Sequence, residues 1–233
     1  SKNHGVWVGP FVEEQGADTA RLSVLFAAPP EKPLEWTDDL VTGVTRFLGR
    51  VWRLFEEHGA VVNFDPPDVN RFTPTERELY IRLNQTHHKV IADSEAFQFN
   101  TAIAAQMEFL NSLYAFQDKR SKVFGFCLGR LIYLLAPFAP HLAEELWHRA
   151  KPDADSIFNQ RFPDYDERFL VFDELEIPVQ MNGRLRDRIT VPRGTDEAEI
   201  KKRALASVAP HTEGKTVVKV IYVKDRLVNV VVK

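Results

Sequence analysis

The spacing of apolar residues changes period once along these 233 residues, near Lys151. Before it, apolar side chains recur every three or four positions. From Ile177 onward they alternate. A period near 3.6 gives a helix one buried stripe, and a period of two gives a strand one buried face. A chain carrying first one pattern and then the other is expected to be mainly α. The expected architecture is an antiparallel helical bundle followed by a small α+β domain.

The clearest helical stretch lies between Thr37 or Asp38 as cap and Gly59 as stop. Val44, Phe47, Leu48, Val51, Trp52 and Phe55 form its apolar face, and Arg46, Arg50 and Arg53 fall together on the other side. An earlier helix is expected from about Ala17 to Ala27, ended by Pro29-Pro30. Thr73-Pro74-Thr75-Glu76 is a capping box with proline at the first helical position. The helix it opens is followed by one from about Glu95 to Ala115 and another from about Ser121 through Leu135. Pro137 and Pro140 then interrupt, leaving a turn-rich piece, His141 to Ala150.

Residues 153–171 are rich in Pro, Asp and Asn, lack a period and read as a linker. Ile177–Met181 leads into Asn182-Gly183, the dipeptide best suited to a two-residue hairpin. A strand through Leu185, Ile189 and Val191 follows, then a short helix opened by Asp196. Strands Val217–Val223 and Leu227–Val232 complete the order β-β-α-β-β. The domains expected are therefore 1–36, 37–152 and 172–233, with 153–171 between the last two.

Composition narrows the function classes. The single cysteine, Cys127, excludes an internal disulfide framework and multi-cysteine zinc sites, and it suits a reducing, cytoplasmic compartment. No apolar run is long enough for a membrane span, so no membrane partner is expected. The net charge of −3 is unevenly spread: residues 1–171 carry −6 and residues 172–233 carry +3. The chain opens on Ser1 rather than methionine, as expected of a piece of something longer.

Several runs resemble class I aminoacyl-tRNA synthetases. Ser1-Lys2-Asn3-His4-Gly5-Val6 followed by Gly16-Ala17-Asp18-Thr19-Ala20-Arg21 is similar to the segment just after the KMSKS signature of that class, with Ser1 aligned on its final serine. Phe26-Ala27-Ala28-Pro29-Pro30-Glu31-Lys32-Pro33-Leu34-Glu35-Trp36 resembles a run of the bacterial leucyl enzymes. Phe99–Ala105 and Leu134–Trp147 look like helices of the class I anticodon-binding bundle. Val179–Arg186 resembles the hairpin of a small carboxy-terminal domain. Two departures stand out: Phe162-Pro163 where the family usually has Trp-Pro, and Arg184 where lysine is common.

The resemblance covers essentially the whole chain. It implies the tRNA-binding carboxy-terminal part of a leucyl-type synthetase whose parent ligates leucine to tRNA(Leu) with ATP and Mg2+. It also implies that the catalytic and editing domains lie elsewhere in the parent, with no catalytic residue or cofactor site in this piece. A valyl or isoleucyl enzyme, a free-standing tRNA-binding module and a helical scaffold are the alternatives.

The candidate RNA-binding residues are basic. Arg184, Arg186 and Arg188 alternate along one strand and are expected to share a face. Lys201, Lys202 and Arg203 lie on the next helix, and Lys215, Lys219, Lys224 and Arg226 lie on or beside the last strands. Clustered cations suit a phosphate backbone, and the scarcity of aromatics there disfavours base stacking. The alternative is a solvated face partly neutralised by Asp187 and Asp225. The Arg46, Arg50 and Arg53 stripe could follow an RNA stem, or could be solvated with Arg53 paired to Glu57. The resemblance implies contacts of the carboxy-terminal domain with the tRNA elbow, and backbone contacts rather than base readout by the bundle. His141, Glu144, Glu145 and His148 lack the order of a zinc signature, and no metal site is expected. His87-His88 face different ways, and Cys127 reads as a buried, inert thiol.

Overall fold

The structure is a computed structural model that describes every residue except 1–6, 34–35, 172–173, 193 and 213–215. Its contacts divide the chain into a helical unit ending at Leu170 and a second unit from Val171.

The helical unit holds α1 (Val8–Gln15), α2 (Ala17–Ala27), α3 (Asp38–His58), α4 (Pro74–Glu95), α5 (Phe99–Ala115), α6 (Lys122–Leu135) and α7 (Pro140–Ala150). Local sequence explains most of the boundaries. Thr37 caps α3 by accepting the Leu40 N–H at 3.2 Å, with Asp38 and Asp39 favourable in the first turn. Thr73 and Glu76 form the expected capping box at α4. Glu76 also accepts the Ser121 hydroxyl at 2.5 Å, tying the start of α4 to the residue that caps α6. Burial would raise the Glu76 carboxyl, but these bonds outweigh it and hold the group below its usual value.

Three local readings change. The helix expected from Glu95 starts at Phe99, because Phe97 takes a left-handed conformation (φ 57°) and breaks the chain between α4 and α5. The piece read as turn-rich from His141 is a regular helix with Pro140 at its first position. Helix α1 has no counterpart among the expected elements; it is 8 residues long and buries none of them.

Helix α6 is the centre of this unit, buried along nearly all its length. Segment 61–64 crosses it at backbone distance. A Cβ on Gly125 would sit 1.9 Å from the Val61 carbonyl oxygen, and one on Gly129 2.4 Å from that of Asn63. Only glycine admits this approach. Asn63 completes the seam, donating its backbone N–H to Gly125 O at 3.2 Å and its side-chain amide to Lys122 O at 3.1 Å.

Residues 153–170, read from sequence as a linker, are bound along the helices. The Trp147 indole N–H donates to Asp155 O at 2.8 Å, and the Asp166 N–H donates to Asn84 Oδ1 at 2.7 Å. Gln85 donates to Leu170 O at 2.9 Å, and Phe169 meets Tyr80 edge-on at 4.9 Å. Spaced aromatics and amides anchor this strap, which is why it shows no period.

The second unit is a four-stranded mixed sheet, order β2-β1-β4-β3, from β1 (Glu174–Met181), β2 (Arg184–Pro192), β3 (Val217–Val223) and β4 (Leu227–Val232). Helices α8 (Glu197–Ser207) and α9 (Ala209–Thr212) precede β3. Ile177, Val179, Ile189, Val191, Val228 and Val230 pack with Ile200, Ala204 and Val208. The helix and the sheet thus share one thin core.

Candidate nucleic-acid interface

Burial of Val44, Phe47, Val51, Leu54 and Phe55 fixes the rotation of α3. Its 100° step then forces Arg46, Arg50 and Arg53 to the outer side. These three line a groove of about 880 Å³ with Phe11, Trp36 and the small residues Gly49, Thr42 and Thr45 among its walls. Arg50 lies 4.7 Å from the centre of the Tyr114 ring, and the Tyr114 hydroxyl donates to Arg50 O at 2.8 Å. None of the three arginines makes an ion pair with a described residue. Glu57, the partner expected for Arg53, lies instead 3.8 Å from His58. Glu14 and Asp38 line the same open groove without pairing to the stripe, so three arginines beside two carboxylates leave its lining net positive, a geometry that attracts a polyanion.

In the second unit the expected patch is divided. Lys201 pairs with Glu197 at 2.6 Å, and Lys202 and Arg203 with Glu199 at 4.0 and 2.9 Å. Lys219 pairs across the sheet with Val231, on the side away from α8, and makes no ion pair with a described residue. Lys215 and Ser1 lie outside the described residues, as does Leu34-Glu35 of the proline-rich run before α3. Asp187 and Asp225 form no ion pair with a described residue: Asp187 accepts the Arg188 N–H and Asp225 the Tyr222 hydroxyl.

The three hairpin arginines do not share a face. The β1–β2 register shifts between Val179 and Gln180, so Arg184 stands opposite Met181 while Arg188 stands opposite Pro178. Directly opposed residues project to the same side. Arg184 is thus on the side of the core residue Met181, and Arg188 is on the open side, where it is bonded to Glu176. The extra residue of a β-bulge has no signature in the alternation of the sequence.

The other candidates are engaged structurally. Glu144 accepts the Ile157 N–H at 3.0 Å and faces His148, and Glu145 pairs with Arg149. Among the described residues, no group of three His, Cys, Asp or Glu could hold a metal ion. Cys127 is fully buried; desolvation pushes its thiol up, against the opposing pull of Arg130. Sequence reasoning shows Asp18 at the start of α2 but missed its partners. Its carboxylate accepts the N–H groups of His141 (3.3 Å) and Leu142 (2.7 Å) at the start of α7. One turn on, Arg21 donates twice to Pro137 O. These two residues clamp the α6–α7 corner to α2. The acid's place in α2 is visible in the sequence, but a cap 123 residues away is not.

The profile of the family described as the anticodon-binding domain of tRNA ligase matches residues 76–202. The chain belongs to this family. Within the anticodon-binding family its similarity is to leucine–tRNA ligases, over their carboxy-terminal part. The ligase of Fusobacterium nucleatum is 40% identical over 244 residues, that of Roseiflexus castenholzii 44% over 243 and that of Fervidobacterium nodosum 41% over 241. Each covers 100% of this chain, whereas the chain spans only 28%, 26% and 29% of these relatives. A LeuRS of Agrobacterium radiobacter K84, solved as a ternary complex with tRNA and LeuAMS, superposes with a TM-score of 0.78 at 33% identity. That match covers 98% of this chain and 30% of the other. The relatives carry the leucine name, which sets aside the valyl and isoleucyl alternatives. Among the described residues, no helix is long and apolar enough to cross a membrane.

Proposed function

We propose that this chain is the tRNA-holding part of a cytoplasmic leucyl-tRNA synthetase, whose other domains ligate leucine to tRNA(Leu) with ATP and Mg2+. The observation that carries this reading is the unpaired arginine stripe on α3, in a chain whose relatives are leucine–tRNA ligases over its whole length. Arg46, Arg50 and Arg53 contact successive phosphates of an RNA stem, while the hairpin of the second unit holds the tRNA at a separate point, its elbow. Phosphate contacts of this kind set position and leave sequence unread. Their contribution to catalysis is orientation of the acceptor end toward a site in the rest of the parent.

Fluorescence anisotropy with tRNA(Leu) at several salt concentrations tests the reading. Replacing Arg46, Arg50 and Arg53 together by Ala should weaken binding at least tenfold. The slope of log affinity against log salt should fall by about one for each phosphate no longer neutralised. Unchanged affinity with an intact helical spectrum would refute it.

A further inference from the structure

We infer that the β-bulge at Arg186 builds a phosphodiester-binding notch from Arg184 and Arg186, and that Arg188, two residues on in the same basic run, takes no part. The inference rests on the tRNA-binding reading and assigns the hairpin's share of it to particular side chains.

The geometry begins with the turn. Asn182 and Gly183 both have positive φ (48° and 79°), the two-residue turn that matches strand twist. The turn is fastened to β4. The Asn182 side chain donates to Val232 O at 3.1 Å and accepts the Val232 N–H at 3.0 Å, and the Gly183 N–H donates to Asn229 Oδ1 at 3.1 Å. A side-chain amide thus continues the backbone ladder past the end of β1, so the residue after the turn leaves from a fixed corner.

The bulge then sets direction. Asp187 opposes Val179 and Leu185 opposes Gln180, which leaves Arg186 as the extra residue on β2. A regular strand would have carried Arg184 to the same face as Arg188. With the extra residue, Arg184 and Arg186 instead line one open concavity of about 460 Å³ with Met181, Asn182, Val232 and Lys233. Neither guanidinium has a carboxylate partner among the described residues, whereas Arg188 is engaged by Glu176 on the other face. Two unpaired planar forks on a rigid corner suit the non-bridging oxygens of a phosphodiester, which guanidinium groups grip in pairs. The concavity has no aromatic wall for a base, so the ligand it fits is the backbone of a folded RNA.

The test uses the 233-residue chain, with tRNA(Leu) and inorganic phosphate as probes. Arg184→Ala combined with Arg186→Ala should weaken tRNA binding about tenfold and flatten the salt dependence by about two. Arg188→Ala should change affinity less than twofold. Arg186→Lys should preserve the salt slope while losing part of the affinity, because it keeps charge and loses the fork. If Arg188→Ala costs as much as the double replacement, the notch is wrong and a general basic face is right, with tRNA binding intact. If the double replacement abolishes binding of inorganic phosphate but leaves tRNA affinity unchanged, the site takes free phosphate and the inference fails. Wild-type chain that does not bind tRNA would overturn the reading of function together with the notch.

Discussion

Helices α3 and α8 both turn basic residues to solvent, yet α3 leaves its arginines without carboxylate partners among the described residues and α8 matches each cation with a glutamate. The difference reaches inward. Helix α3 is anchored by five buried apolar residues in a unit whose centre is locked by backbone contacts. Helix α8 buries Ile200 and Ala204 on a sheet covered on one side. Intrahelical pairs stabilise a helix modestly, and a lightly anchored helix gains most from them. A firmly anchored helix can carry uncompensated charge at little risk. Charge left unpaired on a rigid platform is available to a ligand.

The contrast breaks most directly at the platform. Gly125→Ala places a methyl group on the Val61 carbonyl and the Asn63 side chain. Overpacking costs about 1–3 kcal/mol when side chains can yield, and more when backbone must move. We expect at least about 3 kcal/mol, read as a lowered denaturation midpoint of the helical unit, with the sheet unit's transition unmoved. A shared shift of both transitions would show that the two units do not differ in this way.

The second largest effect is a pH dependence confined to the helical unit. His87 on α4 is buried, with Phe162 and Tyr165 of the strap packed edge-on against its ring at 5.5 and 5.9 Å. Desolvation, with help from Arg130, lowers its pKa from 6.5 to about 4, against weaker opposing effects of Pro163 O and Asp164. The unfolded chain therefore takes up a proton between pH 6.5 and 4 that the native chain refuses. Stability is fully present above about pH 6.5 and declines as pH falls toward 4. The loss amounts to about 3 kcal/mol over that window. Denaturation of wild type and His87→Asn across roughly pH 4–7 checks it: the variant should lose this part of the slope. A variant as pH-sensitive as wild type would acquit His87.

How much of this is legible follows from what each feature depends on. The apolar stripe of α3 and the Asn182-Gly183 turn are local, and the sequence shows both. The position of Arg46, Arg50 and Arg53 follows from that stripe. The bulge at Arg186 is a fact of pairing: an alternating Arg-Leu-Arg-Asp-Arg run reads identically with or without it. Asp18 can be seen at the start of α2, but its α7 partner is a property of the tertiary fold. The strap reads as a linker because its anchors are single side chains spaced for the surface they meet. Gly125 and Gly129 give no warning either, since glycine in a helix announces neither a crossing segment nor its side.

The smallest effect sharpens the comparison where the two helices differ only in pairing. Lys201→Ala with Lys202→Ala should alter tRNA affinity less than twofold, because Glu197 and Glu199 already offset those charges. The stability cost should be a few tenths of a kcal/mol per pair, as for exposed pairs one turn apart. The converse replacement is more telling. Glu197→Gln with Glu199→Gln frees Lys201, Lys202 and Arg203 without removing a cation, and tRNA binding should strengthen severalfold with a steeper salt dependence. If compensation is what silences α8, adding no new positive group suffices to give it a voice. If affinity stays where it was, α8 faces away from the RNA, and α3 differs from it in location rather than in pairing.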